Sequence, residues 1–540
     1  MPEFVQHTWV NPGTIEKRAY QDAIAKTCLT GNTLVVVPTG LGKTSIAAVV
    51  AAERLHRAFE ASKSMPKPAQ PQGFVSADSY SVHRDAKVLF LAPTRPLVEQ
   101  HKKSLEKFLK IGPDEIKAIT GESSPSERKR LYEKADIVIA TPQTIRNDIE
   151  NRTLDLSSFI LLVVDEAHRS VGNYAYVYIA KAYMDEALDP LVLALTASPG
   201  GFRSKIDEIR KQLFIQNVEI RSREDADVRP YVQKVDKVWI EVDFPAELSI
   251  IRSYLDAYRA EQIQKLANWR LPVSPKMSKK QIIIMQQNLA RQKTGFSFQA
   301  MSVLAELLKL DHAALLLETQ CLSAFEKYAE RLKEDATRAT ARLLQNPHWV
   351  KATVAVKELI AQGRENPKME KLKQLVSYEL KARKKAIVFT QYRDTVDAIV
   401  KALSKIEGIK PVAFIGQAKK SGVGMSQKEQ RAILDQFKFG THNVLVATSI
   451  GEEGLDIEET DAVIFYEPIP SEIRNIQRAG RTARTKPGKV FFLVVRGTRD
   501  EAFYWAAHHK EKKMKNILES LQKKNPANLT SYWDQKYGKK

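Results

Sequence analysis

Short apolar runs recur along two stretches of the chain, and each run is followed by a segment with helical periodicity. The runs lie at residues 33–37, 88–92, 116–119, 137–140, 160–164 and 191–195, and then at 386–389, 411–415, 444–447, 462–466 and 490–495. Runs of this length without polar alternation are typical of parallel strands that are buried on both faces. The pattern therefore predicts an α/β protein with two parallel-sheet units.

Between these units, from about Phe244 to Gly363, strand-like runs vanish and apolar residues recur at helical spacing, as from Leu304 to Leu317. An inserted all-α domain is predicted there. The expected boundaries are 1–230 for the first core, 231–365 for the helical insertion, 366–505 for the second core and 506–540 for a basic helix and tail. Residues 61–85 are rich in Pro, Ser and Gln, which predicts a flexible surface insertion in the first core.

The net charge of the chain indicates a class of binding partner. The 540 residues carry 84 Lys and Arg against 64 Asp and Glu, a net charge of +20 that favours a polyanionic partner such as nucleic acid. Basic residues concentrate in the insertion, where Trp269, Phe296 and Phe298 lie among Arg252, Arg259, Lys265, Arg270, Lys276, Lys279, Lys280, Arg291 and Lys293. A helical domain that grips nucleic acid fits this segment, and a helical spacer with a solvated basic face is the alternative.

Several classes of protein are disfavoured by the composition. No apolar run is long enough to span a bilayer, and the N-terminus lacks the order of a signal peptide, so a cytoplasmic protein without a membrane partner is expected. The chain has only two cysteines, Cys28 and Cys321, which suggest neither a disulfide framework nor a cysteine metal site.

The segment Val37–Thr44 has the composition of a phosphate-binding loop. It follows the first apolar run and precedes a helical segment, and it contains Thr39, Gly40, Gly42, Lys43 and Thr44. Glycines let backbone amides approach phosphates, and a helix N-terminus adds a positive dipole end. Lys43 is predicted to reach the β- and γ-phosphates, and Thr44 to bind Mg²⁺.

A polar tetrad, Asp165-Glu166-Ala167-His168, follows the apolar run at 160–164. Asp165 is predicted to hold Mg²⁺ and Glu166 to polarise the attacking water, while His168 relays the nucleotide state. Thr196-Ala197-Ser198 follows the next run, and its hydroxyls are expected to connect the tetrad with the second half of the chain. Packing alone does not account for a polar tetrad at this position.

Other segments add candidate nucleotide contacts. Gln21, supported by Arg18, can read adenine through its amide. Gly454 and Asp456 follow the apolar run at 444–447, where a backbone can approach the nucleotide and a carboxylate can touch ribose. Gln477, Arg481 and Arg484 lie in a segment with arginines at intervals of three, which on a helix share a face and can stabilise charge on a transferring phosphoryl group.

Polar residues at the ends of other apolar runs are candidates for a nucleic-acid track. Carboxyl ends of parallel strands share one edge of a sheet, where open sheets bind ligands. Hydroxyls, backbone amides and arginines at such an edge suit a nucleic-acid backbone. The candidates are Thr94, Arg95, Gly121, Thr141, Thr390, Arg393 and Thr448. A role in forming the turns alone is the alternative for these positions.

The ordered motifs resemble those of superfamily 2 helicases over nearly the whole chain. They are Pro-Thr-Gly-Leu-Gly-Lys-Thr, Ala-Pro-Thr-Arg, Thr-Pro-Gln-Thr, Asp-Glu-Ala-His, Thr-Ala-Ser, Gly-Glu-Glu-Gly-Leu-Asp-Ile and Gln-Arg-Ala-Gly-Arg-Thr-Ala-Arg. Within that superfamily, Thr196–Gly200, the helical insertion and Gly451–Ile457 look like the archaeal Hef and FANCM group.

This resemblance implies two RecA-like cores with MgATP between them, Lys43, Thr44, Asp165 and Glu166 on one wall, and Arg481 and Arg484 reaching across from the other. It also implies a thumb-like insertion on forked or branched DNA, 3′–5′ movement, and a place in DNA repair in an archaeal nucleoid. A separate nuclease or a replication clamp is an expected protein partner.

The resemblance to Hef has one departure. In Hef, an XPF-type nuclease follows the helicase part. Glu127-Arg128-Lys129 matches three letters of a nuclease motif, but it lies inside the first core and is interpreted as coincidence. The chain leaves no room for that nuclease, so a helicase fragment or a stand-alone relative is expected.

Two rival functions remain open from the sequence. The first is an RNA-activated ATPase that resembles the RIG-I-like proteins and moves on duplex RNA. The second is a nucleotide-gated DNA clamp or translocase that does not separate strands.

Overall fold

The computed structural model describes residues 3–64, 86–380, 384–416, 424–448, 460–479, 482 and 487–522. Seven strands form its first sheet: β1 (Thr33–Val36), β2 (Lys87–Leu91), β3 (Ile116–Ile119), β4 (Ile137–Ala140), β5 (Phe159–Val164), β6 (Val192–Thr196) and β7 (Asn217–Ile220). All its pairings are parallel, in the order β3-β4-β2-β5-β6-β1-β7. The predicted first parallel sheet is therefore confirmed.

Helices cover both faces of this sheet, as a parallel sheet requires. They are α1 (Ala19–Cys28), α2 (Lys43–Ser64), α3 (Arg95–Phe108), α4 (Pro125–Lys134), α5 (Pro142–Glu150), α6 (Ala175–Glu186) and α7 (Arg203–Gln212). Alternate residues of one strand enter different cores, since Val35 packs on one face and Leu34 on the other. Helix α2 continues to Ser64, so residues 61–64 of the predicted insertion are helical; the remaining residues, 65–85, lie outside the described ranges.

Among the described residues, the second sheet has six parallel strands. They are β8 (Val235–Val242), β9 (Ala386–Phe389), β10 (Pro411–Phe414), β11 (Val444–Ala447), β12 (Ala462–Phe465) and β13 (Gly488–Val495), in the order β10-β11-β9-β12-β13-β8. The helices of this core are α14 (Pro367–Glu379), α15 (Arg393–Leu403), α16 (Gln427–Lys438) and α17 (Glu472–Ala479).

Strand β8 lies within the segment that the sequence assigned to the helical insertion. It pairs with β13 along its whole length and forms one edge of the second sheet. An edge strand is covered on one side only, and its sequence mixes Asp236, Lys237 and Glu241 with apolar residues. No continuous apolar run marks β8, and the sequence therefore did not predict this strand. The helices of the insertion begin after it, at Ala246 rather than at residue 231.

The inserted domain is a bundle of six helices that lies in sequence between β8 and the remaining strands of the second sheet. They are α8 (Ala246–Asn268), α9 (Lys279–Ala290), α10 (Gly295–Thr319), α11 (Leu322–Lys333), α12 (Arg338–Gln345) and α13 (Pro347–Ala361). One apolar core joins α8, α10, α11 and α13, and a second, smaller core lies at the far end of α8 with α9 and the start of α10. The predicted all-α insertion between two parallel-sheet domains is thus confirmed.

The last described helix, α18 (Arg499–Gln522), starts at the second sheet and ends on the first core. Its residue Met514 is buried and, together with Ile517, packs against an apolar cluster of the first core. The helix starts before the predicted boundary at residue 506, and residues 523–540 lie outside the described part. Among the described residues, no helix is both long and apolar enough to cross a membrane.

Candidate active site and nucleic-acid interface

The phosphate-loop segment joins the end of β1 to the start of α2. Gly40 and Gly42 both have left-handed backbones, with φ of 86° and 77°, which explains why glycine stands at these positions. Helix α2 begins at Lys43, so its N-terminal amides face the loop. The Lys43 ammonium donates to the carbonyl of Val37 at 3.2 Å, which folds the side chain back over the loop.

Gln21 supports the phosphate loop from α1. Its amide nitrogen donates to the carbonyl of Leu41 at 3.1 Å, and the Tyr20 hydroxyl donates to the same carbonyl at 2.8 Å. A Cβ at position 42 would lie 2.3 Å from the Gln21 amide nitrogen, so a side chain there would displace the Gln21 amide from the loop. Arg18 bonds to Glu16 at 2.7 Å and lies over the Tyr231 ring. Adenine reading by Gln21 stays a prediction.

Asp165 and Glu166 follow β5 directly and are both buried. The Nε2 atom of His101, on α3, lies 2.9 Å from Asp165 Oδ2, and the Nδ1 atom of the same ring lies 3.5 Å from Thr44 Oγ1. The two residues predicted to bind Mg²⁺ are therefore joined through one imidazole. No sequence motif pointed to His101, because a single histidine on an amphipathic helix is usually a residue that packs in the core.

The carboxyl group of Asp165 is adapted to carry a negative charge. Burial alone would raise its pKa, but the hydrogen bond that His101 donates and the charge of Lys43 together lower the pKa below its ordinary value. The carboxylate therefore stays ionised inside the core, as a cation ligand must.

Glu166 has a left-handed backbone, with φ of 50°, which few non-glycine residues adopt and which costs free energy. Its Oε2 is buried, lies 3.2 Å from His168 Nδ1, and makes no hydrogen bond among the described residues. An unbonded buried carboxylate oxygen is costly unless a ligand or water satisfies it. The glycine loop, the helix N-terminus, ionised Asp165 and this oxygen together fit a polyphosphate with a divalent cation.

A chain of contacts leads from Glu166 to α18. His168 Nδ1 lies 3.3 Å from Thr196 Oγ1, and that oxygen accepts a bond from the Ser198 amide at 3.1 Å. The Ser198 hydroxyl in turn donates to the sulfur of Met514 at 2.9 Å. The expected connection between the tetrad and the later part of the chain is thus made by α18, a partner that the sequence did not indicate.

The residues expected on the opposite wall lie mainly outside the described ranges. Those are Gly454, Asp456, Arg481 and Arg484. Gln477 lies on α17. Its neighbour Arg478 is fully buried, and its guanidinium carbon lies 4.9 Å from the centre of the Phe389 ring, so one arginine of the series serves the packing of this core.

Three of the nucleic-acid candidates of the first core share one edge of its sheet. Thr94, Gly121 and Thr141 follow β2, β3 and β4, which are neighbours in the sheet. The Thr141 and Thr144 hydroxyls lie 2.8 Å apart, and a Cβ at Gly121 would lie 3.8 Å from the Thr144 hydroxyl.

Arg95, the first residue of α3, belongs to the same edge. It forms an exposed ion pair with Glu122. A phosphate that binds Arg95 therefore has to displace a carboxylate.

The candidates of the second core are more enclosed. Thr390 is fully buried and donates to the Gln320 side chain of the helical bundle at 3.3 Å, so its hydroxyl connects two domains here. Arg393 donates to the carbonyl of Gly416 at 3.1 Å. Thr448 is buried at the end of β11 and its amide bonds to Phe414.

The basic stretch of the insertion divides into two parts. Arg252 and Arg259 form ion pairs inside the bundle, with Glu318 and with Asp311 respectively, so they are structural. The remaining basic residues lie in the segment 262–301, which we call the basic tip. It contains no Asp or Glu, and its seven Lys and Arg residues are all exposed: Lys265, Arg270, Lys276, Lys279, Lys280, Arg291 and Lys293.

The basic tip also exposes large apolar side chains. Phe298 is 60% exposed, and Phe296, Ile283 and Ile284 are also exposed. The Trp269 ring packs edge-on against Phe296, with ring centres 5.8 Å apart. Exposed aromatic rings among exposed cations are the combination that single-stranded nucleic acid binds by stacking and charge.

The nuclease-like letters Glu127-Arg128-Lys129 lie on α4, inside the first core as expected. Arg128 makes a buried pair with Asp148, at 2.6 Å, which also accepts a bond from the Tyr132 hydroxyl. This arrangement ties α4 to α5 and gives the arginine a structural role. The interpretation of these letters as coincidence agrees with it.

Three family models match the chain. They are described as "DEAD/DEAH box helicase" over residues 18–204, "Putative ATP-dependent RNA helicase, helical bundle" over residues 247–363, and "Helicase conserved C-terminal domain" over residues 367–486. The matched ranges follow the first core, the inserted bundle and the second core.

Among solved structures, the Pyrococcus furiosus Hef helicase domain is 42% identical to this chain. The match has a TM-score of 0.66 and covers 91% of this chain and 98% of that domain. A Methanocaldococcus jannaschii protein named "Putative ATP-dependent RNA helicase" is 40% identical over 96% of this chain, and the "DEAD-box ATP-dependent RNA helicase FANCM" of Arabidopsis thaliana is 34% identical over 92%.

The curated relatives are longer than this chain. It covers 63% of the Methanocaldococcus protein and 36% of the Arabidopsis protein. The Neurospora crassa "ATP-dependent DNA helicase mph1" is 32% identical over 92% of this chain, which covers 42% of that protein. Because the match to the Hef helicase domain extends over nearly all of both chains, this protein belongs to the Hef and FANCM group of ATP-dependent superfamily 2 helicases.

Proposed function

We propose that this chain is an ATP-dependent 3′–5′ DNA helicase or translocase that acts on forked and branched DNA in DNA repair. The observation that carries the proposal is the basic tip, with seven exposed cations, no acidic residue and an exposed Phe298. It belongs to a domain inserted between two cores of a helicase. A surface of this kind suits a branch, where duplex phosphates and unstacked bases occur side by side.

The nucleotide site has roles for residues of both cores. Lys43 and the loop residues Thr39, Gly40 and Gly42 hold the phosphates, while Thr44 and Asp165 hold Mg²⁺. When bound, Mg²⁺ neutralises charge on the phosphates and orients them for attack. Glu166 polarises the water.

Residues beyond the phosphate loop complete this assignment. Arg18 and Gln21 support the adenine side, and Gly454, Asp456, Gln477, Arg481 and Arg484 complete the site from the second core. The proposed domain boundaries follow from the same assignment, with the insertion counted from Ala246.

The nucleic-acid track uses the strand-end residues of both cores. Thr94, Gly121 and Thr141 offer hydroxyls and close backbone approach at one edge, and Arg95 supplies a charge once Glu122 is displaced. Thr390, Arg393 and Thr448 occupy the matching strand ends of the second core. Since Thr390 now bonds to the helical bundle, its contact with nucleic acid requires the bundle to shift.

Two alternative functions are compatible with the same ATP site. The Methanocaldococcus relative and the helical-bundle model are both named for RNA helicases, which favours RNA as the second candidate substrate. A translocase that never separates strands would use the same ATP site. A separate nuclease or replication clamp as partner, and a place in the nucleoid, remain predictions.

A strand-displacement assay tests the proposal. The wild-type chain is mixed with ATP and fluorescently labelled DNA of matched sequence: a fork, a 3′-tailed duplex, a 5′-tailed duplex and a blunt duplex. We expect the fork and the 3′-tailed duplex to be unwound, and Glu166→Gln to unwind none of them. Unwinding of the 5′-tailed duplex alone contradicts the polarity, and failure on all substrates with ATP hydrolysis intact favours the non-separating translocase.

A further inference from the structure

His101 occupies a position between the two residues to which we assign Mg²⁺ binding. It lies on α3, in the second turn after Arg95, and its side chain is buried. The ring packs on Phe90, with ring centres 4.4 Å apart. Both ring nitrogens then face polar partners, Asp165 Oδ2 at 2.9 Å and Thr44 Oγ1 at 3.5 Å.

The chemistry of Asp165 fixes the direction of its contact with His101, and the tautomer of the ring then sets the direction of the contact with Thr44. An ionised carboxylate can only accept, so the His101 Nε2 atom carries the hydrogen and donates to Asp165. In the neutral ring Nδ1 is then an acceptor, and the Thr44 hydroxyl donates to it. The lone pairs of the Thr44 oxygen are left for another partner, and a cation needs such lone pairs.

We propose that His101 is a positioning residue for the divalent cation, one that holds the Asp165 carboxylate and the Thr44 hydroxyl in a fixed mutual geometry. The inference rests on the proposed assignment of Thr44 and Asp165 as Mg²⁺ ligands. His101 bonds to one carboxylate oxygen and one hydroxyl, and its ring is held by Phe90. Groups that orient metal ligands in this way usually change metal affinity 10- to 100-fold when removed.

The alternative role of His101 is simple core packing. Two substitutions separate these roles. His101→Phe keeps a ring of similar shape against Phe90 but removes both hydrogen bonds. His101→Gln keeps a donor that reaches Asp165. Positioning predicts a large effect for phenylalanine and partial rescue by glutamine, whereas packing predicts the reverse order.

The test measures Mn²⁺ binding without nucleic acid, so it does not depend on which substrate the enzyme unwinds. The full chain is saturated with a non-hydrolysable ATP analogue and titrated with Mn²⁺, and free Mn²⁺ is read by electron paramagnetic resonance. A parallel titration measures analogue binding in excess EDTA. His56→Phe, which replaces another histidine of the first core, is the matched control.

We expect His101→Phe to weaken Mn²⁺ affinity about 10- to 100-fold and His101→Gln to recover most of it. Analogue binding in EDTA and the His56→Phe control should stay within about twofold of wild type. If His101→Phe does not fold, His101→Met replaces it.

An unchanged Mn²⁺ affinity in a folded His101→Phe, or equal losses in the phenylalanine and glutamine variants, overturns the inference. A wild-type chain that binds the analogue but no Mn²⁺ counts instead against the assignment of Thr44 and Asp165. The two failures are therefore distinguishable.

Discussion

Replacing Lys279 and Lys280 by alanine should weaken DNA binding and flatten its dependence on salt. Both side chains are exposed in the first turn of α9. The turn itself should survive, because its N-terminus is capped by reciprocal bonds between Ser278 and Gln281. The variant therefore removes two of the seven cations of the basic tip without removing a packing contact.

The magnitude follows from counterion release. Each lysine that neutralises a phosphate contributes about −0.9 to the slope of log affinity against log salt. The double variant should therefore reduce the magnitude of this slope by about 1.8. At 0.1 M salt this corresponds to an affinity loss of up to about 60-fold. Fluorescence anisotropy with a labelled fork, measured from 0.05 to about 0.3 M salt, gives both quantities.

The matched control removes two exposed lysines from the second core, Lys401 and Lys405, at the end of α15. That end of the helix lies away from the carboxyl ends of the strands, so Lys401→Ala/Lys405→Ala should leave the slope unchanged. An unchanged slope in the Lys279→Ala/Lys280→Ala variant, or the same change in the control, would refute the assignment of the basic tip to DNA.

Three further predictions concern stability and coupling. Burial raises the pKa of Glu467 from 4.5 to about 7, so the unfolded chain loses this proton first and the free energy of unfolding falls as pH rises through that window. Glu467→Gln should therefore raise the melting temperature at pH 8 but not at pH 4.5, and a rise that is equal at both values contradicts this. Met514→Ala should cost about 2–5 kcal/mol in denaturant unfolding and Met514→Leu less than about 1.5 kcal/mol, whereas equal costs would exclude cavity formation as the cause. Phe298→Ala should keep stability within about 0.5 kcal/mol and ATP hydrolysis intact but slow strand displacement on forks, and unwinding at the wild-type rate would remove Phe298 from the mechanism.

Local pattern was sufficient for most strands and for the positions of the phosphate loop and the acidic tetrad. Buried parallel strands have continuous apolar runs, and the polar residues that follow them mark the ligand edge of the sheet. Strand β8 could not be predicted from apolar runs because it is a half-exposed edge strand with charged residues along it. Its partner β13 is far along the chain, so only tertiary pairing reveals it.

The parts of the site that the sequence did not predict are long-range contacts between ordinary residues. His101 meets Asp165 only because α3 packs on the first sheet, and Met514 meets Ser198 only because α18 returns to the first core. The buried hydroxyl of Thr390 is a further example, since it bonds to Gln320 of the helical bundle, a partner that the strand-end pattern did not indicate. Residue type and spacing carry no signal for such pairings.

The central claim is tested most directly by ATP hydrolysis measured with a matched panel of forked DNA, linear duplex DNA and duplex RNA. We predict that forked DNA stimulates hydrolysis most, and that Lys43→Ala and Glu166→Gln abolish the stimulated rate while the folded state is retained. Stimulation that is strongest with duplex RNA, or a stimulated rate that survives in both variants, would contradict a DNA helicase that uses this ATP site.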